Sequence, residues 1–106
     1  MPHKYRLSRA DFGYTRAFKR LHGVLFNVSY GRIPSREGPG GACIVSTKVS
    51  KSAVVRNRIK RRARAALVLL LEKSPAIVVL CHAKSGAAQA TAGEIHAELE
   101  GLLAKI

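Results

Sequence analysis

The 106-residue chain has no tryptophan, only six aromatic residues (three Tyr and three Phe) and only two cysteines. It has six acidic residues against 19 lysines and arginines, a net charge of +13. Apolar runs are short: residues 65–71 fall well below the roughly 20 residues that a membrane-spanning helix needs. The start of the chain also lacks the uninterrupted apolar stretch of a signal peptide. We therefore expect a soluble cytoplasmic protein without a membrane partner, whose positive charge binds a polyanion.

Residues able to carry catalysis or bind a metal are also scarce. Cys43 and Cys81 each lie inside an apolar run, so we expect buried thiols rather than a disulfide. The four histidines are scattered, without the spacing of a zinc site, and no Ser-His-Asp, P-loop or paired-carboxylate signature is present. The sequence therefore predicts no catalytic residue and no metal site in the protein.

The apolar pattern predicts one α+β domain over residues 1–106, a mixed sheet with helices packed on it. The expected elements are a helix over 8–21 capped by Ser8, a strand over 24–30, a strand over 42–49, a helix from Ser50 or Ser52 to about 73, a strand over 76–81 and a helix over 92–105. A further short strand is expected near Ile33 or Ala42. The helix between the last two strands predicts that they are parallel, and the continuous apolar run 77–80 predicts a central strand. Residues 33–41, with two prolines and three glycines, are expected to form an exposed connection between antiparallel strands.

The long helix carries the clearest functional signal. Its apolar residues recur at helical spacing, while Asn57, Arg61 and Arg64 fall near the opposite side. No acidic residue occurs from Lys48 to Leu71, so the like charges repel unless a polyanion is bound. Arginine forks can bind phosphate in a bidentate way, and the amide of Asn57 suits irregular RNA backbone. The pattern favours nucleic acid and, by itself, does not exclude DNA.

The basic helix and several motifs around it resemble a known protein family. The stretch from Lys48 to Arg64, with Arg56-Asn57-Arg58-Ile59-Lys60-Arg61 at its centre, is similar to the arginine-asparagine-arginine signature of the bacterial ribonuclease P protein component. Arg6-Leu7, Asp11-Phe12, Ala83-Lys84 and the closing amphipathic helix follow in family order, so the resemblance covers nearly the whole chain. It implies the family's fold, which is of the type of domain 2 of ribosomal protein S5.

The resemblance also implies a function. Such a protein is a subunit of a ribonucleoprotein whose catalytic RNA removes the 5′ leader of precursor tRNA to make the mature 5′ end. The implied partners are ribonuclease P RNA and precursor tRNA, with no DNA, and the implied cofactor is Mg²⁺ held by the RNA rather than by a protein site. Contact with the catalytic RNA is implied for seven residues: Lys48, Arg56, Asn57, Arg58, Lys60, Arg61 and Arg64.

The family's leader-binding cleft lies between the first helix and the sheet, and the candidates for it are Phe12, Phe18, Tyr30 and Lys84. Stacking of a base on an aromatic ring is worth about 1–3 kcal/mol. The alternative is that the three aromatic residues belong to the core. Arg16 stands where a second helix aromatic would be expected, four residues after Phe12.

Two other functions share part of this pattern. A structural RNA-binding protein, such as a small ribosomal protein, would have the same size, charge and lack of catalytic residues, and the order of elements separates it from ribonuclease P. A DNA-binding protein of the helix-turn-helix type would need a second helix directly after the basic one, where Pro75 and an apolar strand follow instead.

Overall fold

The computed structural model describes residues 3–34 and 36–106. The helices and strands are α1 (Arg9–Phe12), β1 (Lys19–His22), β2 (Phe26–Gly31), β3 (Gly40–Ile44), α2 (Ala53–Leu71), β4 (Val78–Ala83) and α3 (Ala92–Leu103). Short 3₁₀ turns lie at His3–Tyr5, Thr15–Ala17 and Ser85–Ala88. The expected α+β class is confirmed. A third strand does precede the basic helix, but it is β1 rather than a strand near Ile33.

The four strands form one mixed sheet in the order β1-β2-β4-β3. β4 is antiparallel to β2 and parallel to β3, and α2 connects β3 to β4. The predicted parallel pair and the central position of β4 are therefore confirmed. β2 and β3 run in opposite directions, but β4 lies between them, so the connection after β2 passes β4 rather than forming a hairpin.

The predicted helix over residues 8–21 is wrong beyond its first turn. Ser8 does cap α1: its Oγ accepts a hydrogen bond from the Asp11 N–H at 3.1 Å, and Asp11 accepts one from the Ser8 N–H at 2.9 Å. The helix ends at Phe12, and after the 3₁₀ turn the chain continues as β1. Pairing with β2 satisfies the backbone groups of β1, and Leu21, its one apolar residue, packs against the core.

The second predicted strand, over residues 42–49, is also shorter than expected, because β3 ends at Ile44. The connection between β2 and β3 is only partly exposed. The Arg36 guanidinium anchors it by donating to Asp11 Oδ2 at 3.2 Å and to the carbonyl oxygens of Arg6 and Pro39, each at 3.1 Å. This arginine therefore ties the connection to the N-terminal segment.

The two long helices begin and end within two residues of the expected positions. Ser52 Oγ accepts a hydrogen bond from the Val55 N–H at 3.3 Å, and Thr91 and Glu94 form a reciprocal capping box. Both helices bury an apolar stripe in the core: Ile59, Ala63, Ala66, Leu67 and Leu71 on α2, and Ile95, Leu99 and Leu102 on α3. Leu70 lies beside the stripe of α2 and is half-buried.

The sheet has two unlike faces. Alternate residues of β2 and β4, among them Phe26, Val28 and Cys81, join the core formed with α2 and α3. The residues between them, including Asn27 and His82, point to the second face.

One end of the second face is covered by the segments around α1 and after β2. Gly31, Val78 and Gly40 form a row across three strands. A Cβ on Gly31 would lie 2.5 Å from the Phe18 ring, and one on Gly40 would lie 2.7 Å from the Arg36 guanidinium. A side chain at either position would require Phe18 or Arg36 to move. The end that bears His82 is open.

Candidate nucleic-acid interface

Among the described residues, no acidic side chain forms an ion pair with the basic face of α2. Asn57, Arg61 and Arg64 are exposed and Lys60 is half-buried, while Lys48 is exposed in the turn before the helix. Among residues 3–34 and 36–106, the ion pairs are Arg36 with Asp11 and His96 with Glu100, and neither involves α2. The helix therefore presents donors and positive charge to the solvent, as its periodicity predicted.

The two arginines of the Arg-Asn-Arg signature are partly engaged within the protein. Arg56 donates through Nη1 to the Ser50 carbonyl oxygen at 2.9 Å, and Arg58 donates through Nη2 to the Ala88 carbonyl oxygen at 2.7 Å. The Nε of Arg58 is buried without a hydrogen-bond partner. Arg56 thus braces the turn that enters α2, and Arg58 braces the segment before α3.

Sequence reasoning missed Arg62, which repeats the contact of Arg58 one turn later. Its Nη1 donates to the Ala90 carbonyl oxygen at 2.7 Å. The four-residue spacing from Arg58 was a usable signal, since residues i and i+4 lie on the same side of a helix. Together these two arginines fix the orientation of α2 relative to residues 88–90.

A cavity of about 240 Å³ separates α1 from α2 at the edge strand β3. It is lined by Arg6, Leu7, Phe12, Gly41, Ala42, Cys43 and Arg64. Phe12 is 39% exposed, so a large part of its ring remains available for contact. The cavity combines an aromatic surface with two guanidinium groups, which is the chemistry that binds a base and its phosphate.

The thiol of Cys43 lines the same cavity and is protonated near neutral pH. Burial raises its pKa to about 11, and the nearby cations of Arg64 and Lys60 offset only part of that effect. Cys81 is the paired residue on β4, and burial raises its pKa as well. Both cysteines are buried and free, as predicted.

The four leader candidates are not gathered in one place. Phe12 lines the cavity beside Arg64, whereas Phe18 covers Gly31 at the closed end of the second face. Tyr30 pairs with Val79 and packs against the core on the helix-covered face. Lys84 is exposed, and its Nζ donates to the Gly23 carbonyl oxygen at 2.8 Å.

A second cavity, of about 310 Å³, lies at the open end of the second face and was not predicted. It is lined by Arg20, His22, Asn27, Ser29 and His82. Burial, and then the Arg20 guanidinium, lower the pKa of His82 below its ordinary value. The alternation of polar and apolar residues in β2 indicated that one face of this strand is polar. The residues of β1 and β4 that join it in the cavity follow only from the strand register.

The described part of the chain contains neither a cluster of metal ligands nor a membrane-spanning helix. No group of three or more His, Cys, Asp or Glu there could hold a metal ion. None of its helices has the length and apolar character needed to cross a bilayer.

Comparison with known proteins agrees with this architecture. The family described as Ribonuclease P matches residues 1–106. The chain belongs to this ribonuclease P protein family. The ribonuclease P protein components of Trichormus variabilis and a Nostoc species are each 47% identical over 64 residues, covering 58% of this chain and 46% of theirs. The alignment thus spans about half the length of those family members.

Solved structures of the ribonuclease P protein family have the same fold. The Staphylococcus aureus RNase P protein superposes with a TM-score of 0.84 at 25% identity, covering 95% of this chain and 94% of that one. The Thermotoga maritima RNase P protein superposes with a TM-score of 0.81 at 19% identity, covering 95% and 96%. This second likeness concerns the fold alone.

Proposed function

We propose that the chain is the protein subunit of ribonuclease P. In this role it binds the catalytic RNA and the 5′ leader of precursor tRNA, and it supports removal of the leader to make the mature tRNA 5′ end. The observation that carries the proposal is the unneutralised basic face of α2, mounted on the family fold beside the Phe12 cavity. The proposed setting is the cytoplasm, with neither a membrane nor DNA as partner.

The basic face of α2 is the proposed contact with ribonuclease P RNA. Lys48, Asn57, Lys60, Arg61 and Arg64 offer side chains that the protein itself does not use in the hydrogen bonds described above. Arg56 and Arg58 keep their remaining N–H groups for RNA while bracing the backbone. These two internal hydrogen bonds hold the contact surface in place before RNA binds, which lowers the conformational entropy lost on binding.

The Phe12 cavity is the proposed contact with the precursor leader. A base can stack on the exposed part of the Phe12 ring while Arg6 binds a flanking phosphate. Phe18 and Tyr30 are assigned to packing in this proposal, because each lies against other parts of the protein. Lys84, which follows β4, remains a candidate for leader contact. Its Nζ donates one hydrogen bond to the Gly23 carbonyl oxygen and keeps its other N–H groups.

The hydrolysis itself is assigned to the RNA partner. The magnesium ions are placed on that RNA, where such ions activate water and stabilise developing charge. On the protein, three carboxylates, those of Asp11, Glu94 and Glu98, accept backbone hydrogen bonds and are thereby engaged in the fold. The protein therefore binds and orients RNA.

Reconstitution tests this proposal. Precursor tRNA is cleaved by a bacterial ribonuclease P RNA at low magnesium concentration, with and without the protein, and we expect clear stimulation by the protein. The double variant Arg61→Ala/Arg64→Ala should lose most of the stimulation, whereas Lys105→Ala, which removes an exposed cation outside α2, should retain it. Binding of the RNA by folded protein without any stimulation would instead favour the structural RNA-binding alternative.

A further inference from the structure

The end of the sheet at which β1 begins carries a cavity that the proposed function does not use. Its volume is about 420 Å³. Residues at the start of β1, at the end of β2, between α2 and β4, and after α3 all line it. Cavities of small-molecule sites measure roughly 300–1,000 Å³, so this one is large enough for a compact organic ligand.

Much of the cavity wall is apolar. Tyr30, Pro75, Ile77 and Ile106 contribute to it. Ile77 is 8% exposed and Tyr30 is half-buried, and both pack with the core, so this part of the wall is fixed by the fold. Ile106 is 43% exposed, which leaves apolar surface in contact with water. A ligand with an apolar body would cover that surface, and its removal from water favours binding.

Two cations stand beside the apolar wall. Lys19 is paired with Tyr30 between β1 and β2, so the two side chains lie on the same face of the sheet. Arg32 directly follows β2, and both cations are exposed. In the described ranges 3–34 and 36–106, neither takes part in an ion pair, and no residue lining the cavity has an acidic side chain. The cavity therefore attracts an anion.

We propose that this cavity is a binding site for a small organic anion, a carboxylate or phosphate ester with a compact apolar body. The apolar body packs against Ile77 and Ile106, and the anionic group binds to Lys19 and Arg32. Carboxylates and phosphate esters share the chemistry that the site recognises, because a guanidinium can donate paired hydrogen bonds to either. This site does not rest on the proposed function.

The site lies apart from both proposed RNA contacts. Its lining shares no residue with α2 or with the Phe12 cavity. β1 and β3 are the opposite edges of the sheet, three strand spacings apart, which is about 14 Å. Arg64 lies seven residues before the end of α2, or about 10 Å along the helix axis. A small anion can therefore occupy the site while RNA is bound.

The isoleucines of the chain allow a test that reports on position. The chain has six, and two of them, Ile77 and Ile106, line the cavity. With the Cδ1 methyl groups of isoleucine labelled, NMR spectra of the full chain are recorded as naphthoate is added. We expect saturable shifts of the Ile77 and Ile106 signals, while Ile44 of β3 and Ile59 of α2 stay unchanged.

Three ligands with one ring system separate the contributions of charge and apolar body. Naphthoate and naphthyl phosphate are anions at neutral pH, whereas naphthol is neutral. We expect naphthol to bind about tenfold more weakly than the anions, because it cannot form charge-assisted hydrogen bonds with the two cations. The tighter of the two anions identifies a carboxylate or a phosphate ester as the source, and either result supports the site.

Variants on the surface test the assigned residues without threatening the core. Lys19→Ala/Arg32→Ala should weaken naphthoate binding by about tenfold. The matched control Arg9→Ala/Lys51→Ala removes the same charge from two exposed residues outside the cavity and should retain binding. Ile106→Asp places a carboxylate at the site and should abolish the naphthoate-dependent shift of Ile77.

Four results would overturn the proposal. They are the absence of saturable shifts at Ile77 and Ile106, equal shifts of all six isoleucines, equal affinity for naphthol and naphthoate, and equal loss of binding in the two double variants. A single-stranded oligoribonucleotide that shifts Ile77 and Ile106 at lower concentration than either anion would overturn the assignment to a small molecule. Stimulation of precursor cleavage tests the proposed function separately, because Lys19 and Arg32 have no part in it.

Discussion

Glu98 is the residue whose loss should damage the fold most clearly without changing the proposed RNA-binding surface. Its two carboxylate oxygens accept hydrogen bonds from the backbone N–H groups of Val24, Leu25 and Phe26 at 2.7–2.9 Å. A single side chain of α3 thereby fixes the turn between β1 and β2. Gly23 makes this geometry possible, because a Cβ there would lie 2.6 Å from the Phe26 carbonyl oxygen.

The size of the effect follows from the donors that would be left unpaired. Val24 is exposed, so water can replace the hydrogen bond that its N–H donates to Glu98. The N–H groups of Leu25 and Phe26 are partly buried and would be left without an acceptor. Hydrogen bonds to a charged group are worth about 1.5–3 kcal/mol each, so the lower end gives about 3 kcal/mol for Glu98→Ala. At about 4–8 °C per kcal/mol, the midpoint of thermal unfolding should fall by at least roughly 10 °C.

Urea unfolding followed by circular dichroism measures this loss directly. Glu98→Gln keeps one acceptor oxygen and should lose about half as much free energy of unfolding as Glu98→Ala. Glu100→Ala is the matched control, since Glu100 lies on the same helix, is exposed, and has a single ion-pair contact of 3.7 Å with His96. Equal losses for Glu98→Ala and Glu100→Ala would refute the reasoning.

Three further predictions concern the proposed RNA-binding surface and the buried thiols. The double variant Arg61→Ala/Arg64→Ala should bind ribonuclease P RNA with a less steep dependence of log K on log salt concentration, by about 0.7–0.9 per lost phosphate contact. An equal reduction in Lys105→Ala would argue against a localised surface. Phe12→Ala should weaken binding of precursor tRNA relative to mature tRNA by about 1–3 kcal/mol, measured in the reconstituted complex, and an equal loss for both would indicate a packing role. Burial raises the pKa of Cys43 to about 11 from 9.0, so as pH rises the thiol ionises in the unfolded chain before it ionises in the folded protein. The contribution of the Cys43 thiol to the free energy of unfolding is therefore complete below pH 9 and is lost as pH rises toward 11. Replacing Cys43 by alanine should reduce that fall in the urea midpoint, and an identical pH profile would contradict the predicted burial effect.

The parts of the fold that local sequence specifies were predictable. The caps at Ser52 and Thr91, the three- and four-residue spacing in α2 and α3, and the apolar run of β4 each depend on residues close together in the chain. Their ends could be predicted within two residues because caps and helix breakers act locally. The basic face of α2 followed from the same periodicity.

Features that depend on distant residues were not predictable in this way. β1 has one apolar residue in a four-residue strand, and its conformation depends on pairing with β2. The position of Tyr30 depends on the strand register, which places it opposite Val79 rather than beside Phe12. The cavity around Asn27 likewise requires three strands in register, and no single segment of sequence contains it.

The use of the acidic residues has a consequence for the amount of protein that a cell can maintain. Asp11, Glu94 and Glu98 accept hydrogen bonds from backbone N–H groups, so they are not available to neutralise α2. A polyanion that binds the folded state adds about 2.7 kcal/mol of stability when its concentration is 100 times its Kd. On the proposed function, protein made in excess of its RNA would lack this contribution and would be more exposed to proteolysis. Degradation of the unbound chain would then keep the amount of this protein matched to that of its proposed RNA partner.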